Sequence, residues 1–246
     1  MESKGVCLVI GAGDGLGGAI ARAFAADGHP VAVTRRARHL DQLEALAGEI
    51  RNAGVNAKAY GVDARSEEET AALFDRVESE LGAIEVVVFN IGANVRFDIR
   101  ETTARVFTKV WEMACFAGFL AGREAARVMV PRGRGSILFT GATASMRGRE
   151  GYAAFASAKA GLRMLAQSMA REVGPQGIHV AHVICDGAID GVFTRERHSP
   201  EEVERLLAED RILKPADIAQ SFLALHRQPR SAWSHEIDLR PWKETW

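Results

Sequence analysis

The sequence predicts an α/β protein: one domain over 1–246, built as a doubly wound, mostly parallel sheet of about seven strands with helices on both faces. Three observations lead there. Short apolar runs alternate with longer segments of helical spacing along most of the chain. The runs are continuous rather than alternating, as strands covered on both faces must be. The first run also passes straight into a glycine turn that opens a helix.

The apolar runs, in order, are VCLVI (6–10), VAV (31–33), VVVF (86–89), ILF (137–139) and HVAHVI (179–184). The C-terminal WSHEIDLRPWKETW supplies a last strand, and its Trp233, Trp242 and Trp246 are placed to seal an interface or a neighbouring pocket. Helical spacing covers 15–27, 38–53, 66–81, 103–130 and 151–173. The least regular stretch is 187–213, charged and flanked by GAIDG and Lys214-Pro215. A long excursion after a late strand is read as a substrate lid or as a surface helix with charged faces.

Composition narrows the function classes. A chain of 246 residues can bury roughly 70% of its extended surface in one domain. With 47% hydrophobic and 26% charged residues it is not a disordered chain. Lys plus Arg number 31 against 32 Asp plus Glu, a balance that argues against nucleic acid as a partner. Cys7, Cys115 and Cys185 lie far apart with no CxxC pair, which suggests neither a disulfide framework nor a zinc site and fits a reducing compartment. The seven histidines show no metal-ligand spacing, so no metal is expected. No run approaches the ~18 apolar residues of a membrane span, and the N-terminus lacks signal-peptide character. The expectation is a cytoplasmic protein acting on a small molecule, with no membrane partner.

The stretch VIGAGDGLGGAIARAFA places Gly11, Gly15 and Gly17 between the first strand and the first helix. Glycine admits positive φ and lets a pyrophosphate approach the backbone amides, and the helix start adds unpaired N–H groups and a positive dipole end. A nucleotide is the expected ligand. At the end of the second strand, where an NAD site carries a carboxylate for the ribose 2′-OH, the chain has Thr34, Arg35 and Arg36. An arginine fork matches a 2′-phosphate, so the expected cofactor is NADP(H); the alternative is two solvated arginines at a helix start.

The GxxxGxG spacing resembles that of the short-chain dehydrogenase/reductase family, and the likeness runs over nearly the full chain. Phe89-Asn90-Ile91-Gly92 is similar to its NNAG signature, Lys159-Ala-Gly to the end of its YxxxKAG motif, and Gly187 to the glycine of its PG motif. The resemblance implies a Rossmann-type domain. It implies cofactor contacts from Gly11, Gly15, Leu16, Gly17, Asp63 (at the adenine), Asn90, Gly92, Lys159, Gly187 and Ile189. It also implies a homodimer or homotetramer through helices 103–130 and 151–173, which carry apolar residues on more than one face.

The catalytic positions depart from the family. Its relay uses Asn, Ser, Tyr and Lys. Counting from Lys159, the Tyr position is Phe155, the Ser position is Ala142, and the Asn position falls on Ala114. Phe has no proton to transfer and Ala no hydrogen bond to give. General acid catalysis is worth about 10²–10⁴-fold, so ordinary ketone reduction by the family route is not expected. The expectation is an altered reductase of C=C or C=N bonds, or a nucleotide-binding protein without turnover. Tyr152 is the alternative donor. It precedes Lys159 by seven residues, about 20° apart around a helix and about 10.5 Å along it. That Tyr-x6-Lys spacing resembles enoyl-acyl carrier protein reductases; the other reading of Tyr152 is an aromatic that packs at the helix start. Thr140, Thr143, Ser145 and Asp186 are further polar groups near the site, each with a turn or capping role as the alternative. Cys185 reads as a small buried filler.

Overall fold

A single parallel sheet runs through the structure, a computed structural model that describes residues 4–244. Its strands are β1 (Val6–Ile10), β2 (Val31–Arg35), β3 (Ala57–Gly61), β4 (Ile84–Phe89), β5 (Gly135–Ala142), β6 (Ile178–Cys185) and β7 (Glu236–Leu239). They lie in the order β3-β2-β1-β4-β5-β6-β7, every neighbouring pair parallel. The long helices are α1 (Leu16–Ala26), α2 (Leu40–Asn52), α3 (Glu67–Glu80), α4 (Ala104–Trp111), α5 (Ala117–Met129) and α6 (Ala153–Val173). After β6 come the short α7 (Val192–Arg195), then α8 (Pro200–Ala208) and α9 (Pro215–His226).

The continuous apolar runs are explained by two cores. Cys7 and Val9 of β1 face a core with Ile20 and Phe24 of α1, Leu43 and Ile50 of α2 and Phe222 of α9. Val6, Leu8 and Ile10 face the other, with Phe74 of α3, Ala121 and Met129 of α5 and Leu162 of α6. Each such side chain taken from water contributes about 1.5–3 kcal/mol, so a strand apolar at every position is stable only between two helical layers.

Two elements are absent from the runs read in the sequence. AKAYG forms β3 at the sheet edge, where Lys58 reaches out to Glu80 and only Ala57 and Tyr60 are buried, so no apolar run results. PADIAQSFLALH forms α9, which begins with a proline in its first turn and packs on α1. The stretch read as one helix over 103–130 is divided by a π-helical turn at Glu112–Phe116. Residues 187–213 hold both α7 and α8, and the excursion is pinned at its root: Leu213 N donates to Ala188 O at 2.8 Å and Asp190 N to Leu213 O at 2.9 Å. Trp233 stacks on His179 at 4.9 Å, Trp242 is exposed, and Trp246 lies outside the described residues. Among the described residues no helix is long and apolar enough to cross a membrane.

Candidate functional site

The strand order reverses between β1 and β4, which opens a crevice at the C-terminal ends of the strands. Gly11 leaves β1 with φ of 95°, a backbone region that side chains rarely tolerate. Its carbonyl accepts from Asn90 Nδ2 at 3.1 Å, so the first residue past β4 fastens the turn. Gly17 sits so close beneath that a Cβ there would stand 2.4 Å from the Gly11 oxygen. By contrast, a Cβ on Gly15, the residue that starts α1, or on Gly92 would meet no other part of the chain within 4 Å. No side chain caps α1, and its first buried residue is Leu16. A tight turn below, open space above and an uncapped helix start form a cradle that fits a pyrophosphate.

The crevice continues past the end of β2, between Thr34, Arg35, Arg36 and His39 on one side and Val62, Asp63 and Arg65 on the other. Arg35 donates to Gln42 Oε1 at 3.0 Å. Partial burial, then the nearby Arg38, push the Arg36 guanidinium below its ordinary value, while Asp63 pulls it back up. The Asp63 carboxylate is taken by Arg65, whose Nε reaches Oδ1 at 3.0 Å and whose Nη2 reaches Oδ2 at 2.5 Å. Those bonds hold the Asp63 carboxyl below the usual carboxylate range. This end of the crevice is therefore rich in guanidinium, and it suits a group more anionic than a ribose hydroxyl.

At the other end stands Lys159, 2% exposed. Its ammonium donates to Ile91 O at 3.0 Å and Thr140 O at 2.9 Å, tying α6 to the ends of β4 and β5. Burial pushes its pKa down to about 8. Phe155, one turn before it, packs with Val110, Ala114, Cys115, Ala154 and Ala158, and Ala142 and Tyr152 lie against the same cluster. The structure thus brings together Ala114, Ala142 and Phe155, and the place they form is apolar. Tyr152 starts α6 at the cluster edge, whereas the Lys159 ammonium is turned toward backbone carbonyls.

Asp186 is buried just past β6. It accepts from Thr143 Oγ1 at 2.7 Å and from Arg147 Nη2 at 2.9 and 3.0 Å, which joins the end of β6 to the turn after β5. Ser145 Oγ closes that turn, accepting from Ala142 N at 3.1 Å. Burial pushes the Cys185 thiol up to about 12, so it stays protonated and inert. Gly187 turns away at φ 157°, and a Cβ there would stand 2.8 Å from Pro241 Cδ. Ile189 pairs with Leu213 in an isolated bridge, and its carbonyl accepts from Thr194 Oγ1 at 2.6 Å. Sequence reasoning missed Arg65, His39 and Met113 as crevice residues. Of these only Arg65 carried a signal, its place two residues beyond Asp63 at a strand end.

Comparison with known proteins gives three kinds of match. The sequence profile described as short chain dehydrogenase matches residues 5–202. A short-chain dehydrogenase/reductase of Armillaria gallica is 31% identical over 232 residues, 89% of this chain and 88% of the relative. The crystal structure of a short-chain dehydrogenase from Rhodopseudomonas palustris is 47% identical with a TM-score of 0.82, covering 97% of this chain and 99% of that one. A variant actinorhodin polyketide ketoreductase, solved with NADPH, is 26% identical with a TM-score of 0.88, covering 98% of this chain and 97% of that one.

Proposed function

Starting from the fact that this chain belongs to the short-chain dehydrogenase family, we infer that it is an NADP(H)-dependent oxidoreductase with a non-standard proton donor. Its reaction is the reduction of a C=C or C=N bond, or of a carbonyl, in a small organic substrate. The observation that carries this reading is a kept cradle beside an apolar cluster at Ala114, Ala142 and Phe155. The NADPH in the similar ketoreductase structure and the arginines at the end of β2 support the choice of dinucleotide.

The dinucleotide, when bound, supplies or accepts a hydride. Gly11, Gly15, Leu16 and Gly17 would hold its pyrophosphate, and Arg35 and Arg36 its 2′-phosphate. Asn90, Gly92, Lys159, Gly187 and Ile189 would line its nicotinamide half, and 187–213 would cover the substrate. Phe155 and Ala142 exclude water and offer no proton. An iminium already carries its charge and needs no proton at the accepting group, so C=N reduction suits this cluster. Reduction of a conjugated C=C leaves an enolate oxygen that needs a donor. Of the two tyrosines, Tyr60 is tied to Glu80 at 3.0 Å, which leaves Tyr152 for that role. Exposed Trp111, Phe119 and Met164 on the α4–α5 stretch and α6 support assembly as a homodimer or homotetramer.

One observation favours a second reading, a nucleotide-binding protein without turnover: both hydrogen bonds shown by Lys159 go to backbone carbonyls. Steady-state oxidation of NADPH with a panel of enones, imines and ketones tests the two. The oxidoreductase reading expects turnover of an imine or an enone above any ketone. NADPH binding with no turnover across the panel would leave the second reading standing.

A further inference from the structure

The Asp63 carboxylate, in the position from which the family resemblance expects an adenine contact, already has both oxygens engaged, with three of its roughly four acceptor sites taken. Oδ1 accepts from Arg65 N at 3.1 Å and Arg65 Nε at 3.0 Å, and Oδ2 accepts from Arg65 Nη2 at 2.5 Å. The Asp63 N–H is engaged as well, donating to Glu69 Oε2 at 2.9 Å. Arg65 is held from a second element, since its Nη1 stands 3.7 Å from Glu112 Oε2 on the π-helical turn. The guanidinium is therefore fixed between the turn after β3 and the π-helical turn that follows α4. It lines the crevice with Val62 and Arg36, and its side chain is 30% exposed.

We propose that Arg65, rather than Asp63, meets the adenine of the bound dinucleotide, and that Asp63 is a positioning residue for the Arg65 guanidinium. The proposal rests on the NADP(H) reading above. A guanidinium is planar and stacks on a purine face, and its two-point bond to a carboxylate fixes the plane before the ligand arrives. A carboxylate with both oxygens on Arg65 keeps one acceptor site, on Oδ2, for the exocyclic amine of adenine, whereas the guanidinium face stays open. Asp63 also neutralises one of the guanidiniums gathered here, which leaves Arg35 and Arg36 to face the 2′-phosphate. Stacking recognises the face of a base and not its edge groups. Asp63 and Arg65 therefore act as a unit, and neither distinguishes a 6-amino from a 6-oxo purine.

The test is a fluorescence titration of the full chain with NADPH and with its hypoxanthine analogue. It uses the native protein, Arg65→Ala, Asp63→Ala and the double variant, with Arg65→Gln as a second replacement and thermal melting to establish folding. Loss of one stacked base partner weakens binding about tenfold. Arg65→Ala and Asp63→Ala are each expected to weaken both ligands by about that factor. The ratio of the two dissociation constants should stay constant across variants, and Asp63→Ala should cost nothing further once Arg65 is gone. The proposal is overturned if Asp63→Ala weakens NADPH but not the analogue, if the two losses add, or if both Arg65 variants bind like the native protein. Native protein that binds neither dinucleotide overturns the NADP(H) reading along with the proposal, a result distinct from all of these.

Discussion

Phe155 and Ala142 bring no hydroxyl to the cluster they share. Both are legible in the sequence, because the interval from Ala142 to Lys159 fixes which residue stands four before the lysine, and the structure packs the two side chains into one cluster with Ala114. What that cluster excludes can be restored. Phe155→Tyr with Ala142→Ser introduces a donor and a hydrogen-bonding partner together, so neither hydroxyl need stay unpaired. A lone buried hydroxyl would cost about 1–3 kcal/mol. The double variant is expected to reduce at least one ketone faster than the parent under NADPH. Unchanged rates with NADPH binding intact would contradict the assignment of these positions. The partner of Asp186 was not legible. Arg147 and Asp186 meet across 39 residues of sequence, because parallel strands carry their C-terminal ends to one edge wherever they fall in the chain.

At the scale of elements, β6 carries a cost that its apolar pattern hides. His182 is 0% exposed, and its Nδ1 lies 3.0 Å from Glu236 Oε2 on β7, a carboxylate also held by Arg163 of α6. Burial pushes the His182 pKa down to about 4 even against the pull of Glu236. An unfolded histidine titrates near 6.5, so between about pH 6.5 and 4 the unfolded chain binds the extra proton and stability falls as pH falls. For His182 the loss between pH 7.5 and pH 5 is roughly 2 kcal/mol. Burial moves His226 in the same direction, also to about 4. Urea unfolding at the two pH values checks this: His182→Gln should lose clearly less stability than the native protein on acidification, and an equal loss would contradict it. Buried strands were readable as apolar runs because both faces are covered. The edge strand β3 was not, since one side of it is wet, and α9 was hidden behind a proline read as the end of the excursion when it marks a helix start.

For the whole molecule, the order of strands decides where chemistry can happen. The reversal between β1 and β4 gathers the glycine turn, Asn90, the arginines after β2 and Lys159 along one edge of the sheet, from parts of the chain far apart in sequence. The glycine turn and its partners could be read beforehand because backbone geometry demands glycine where Gly11 and Gly17 nearly touch. The excursion over 187–213 was less legible, since it carries no residue pattern tied to a chemical class. This edge is expected to bind a phosphorylated dinucleotide through Arg35 and Arg36, whatever the fate of the proton relay. Titration of the native protein with NADPH and NADH, followed by intrinsic fluorescence, tests it most directly. Charge-assisted bonds to the 2′-phosphate predict that NADPH binds roughly tenfold to hundredfold more tightly; equal affinities for the two, or tighter binding of NADH, would remove Arg35 and Arg36 from that role.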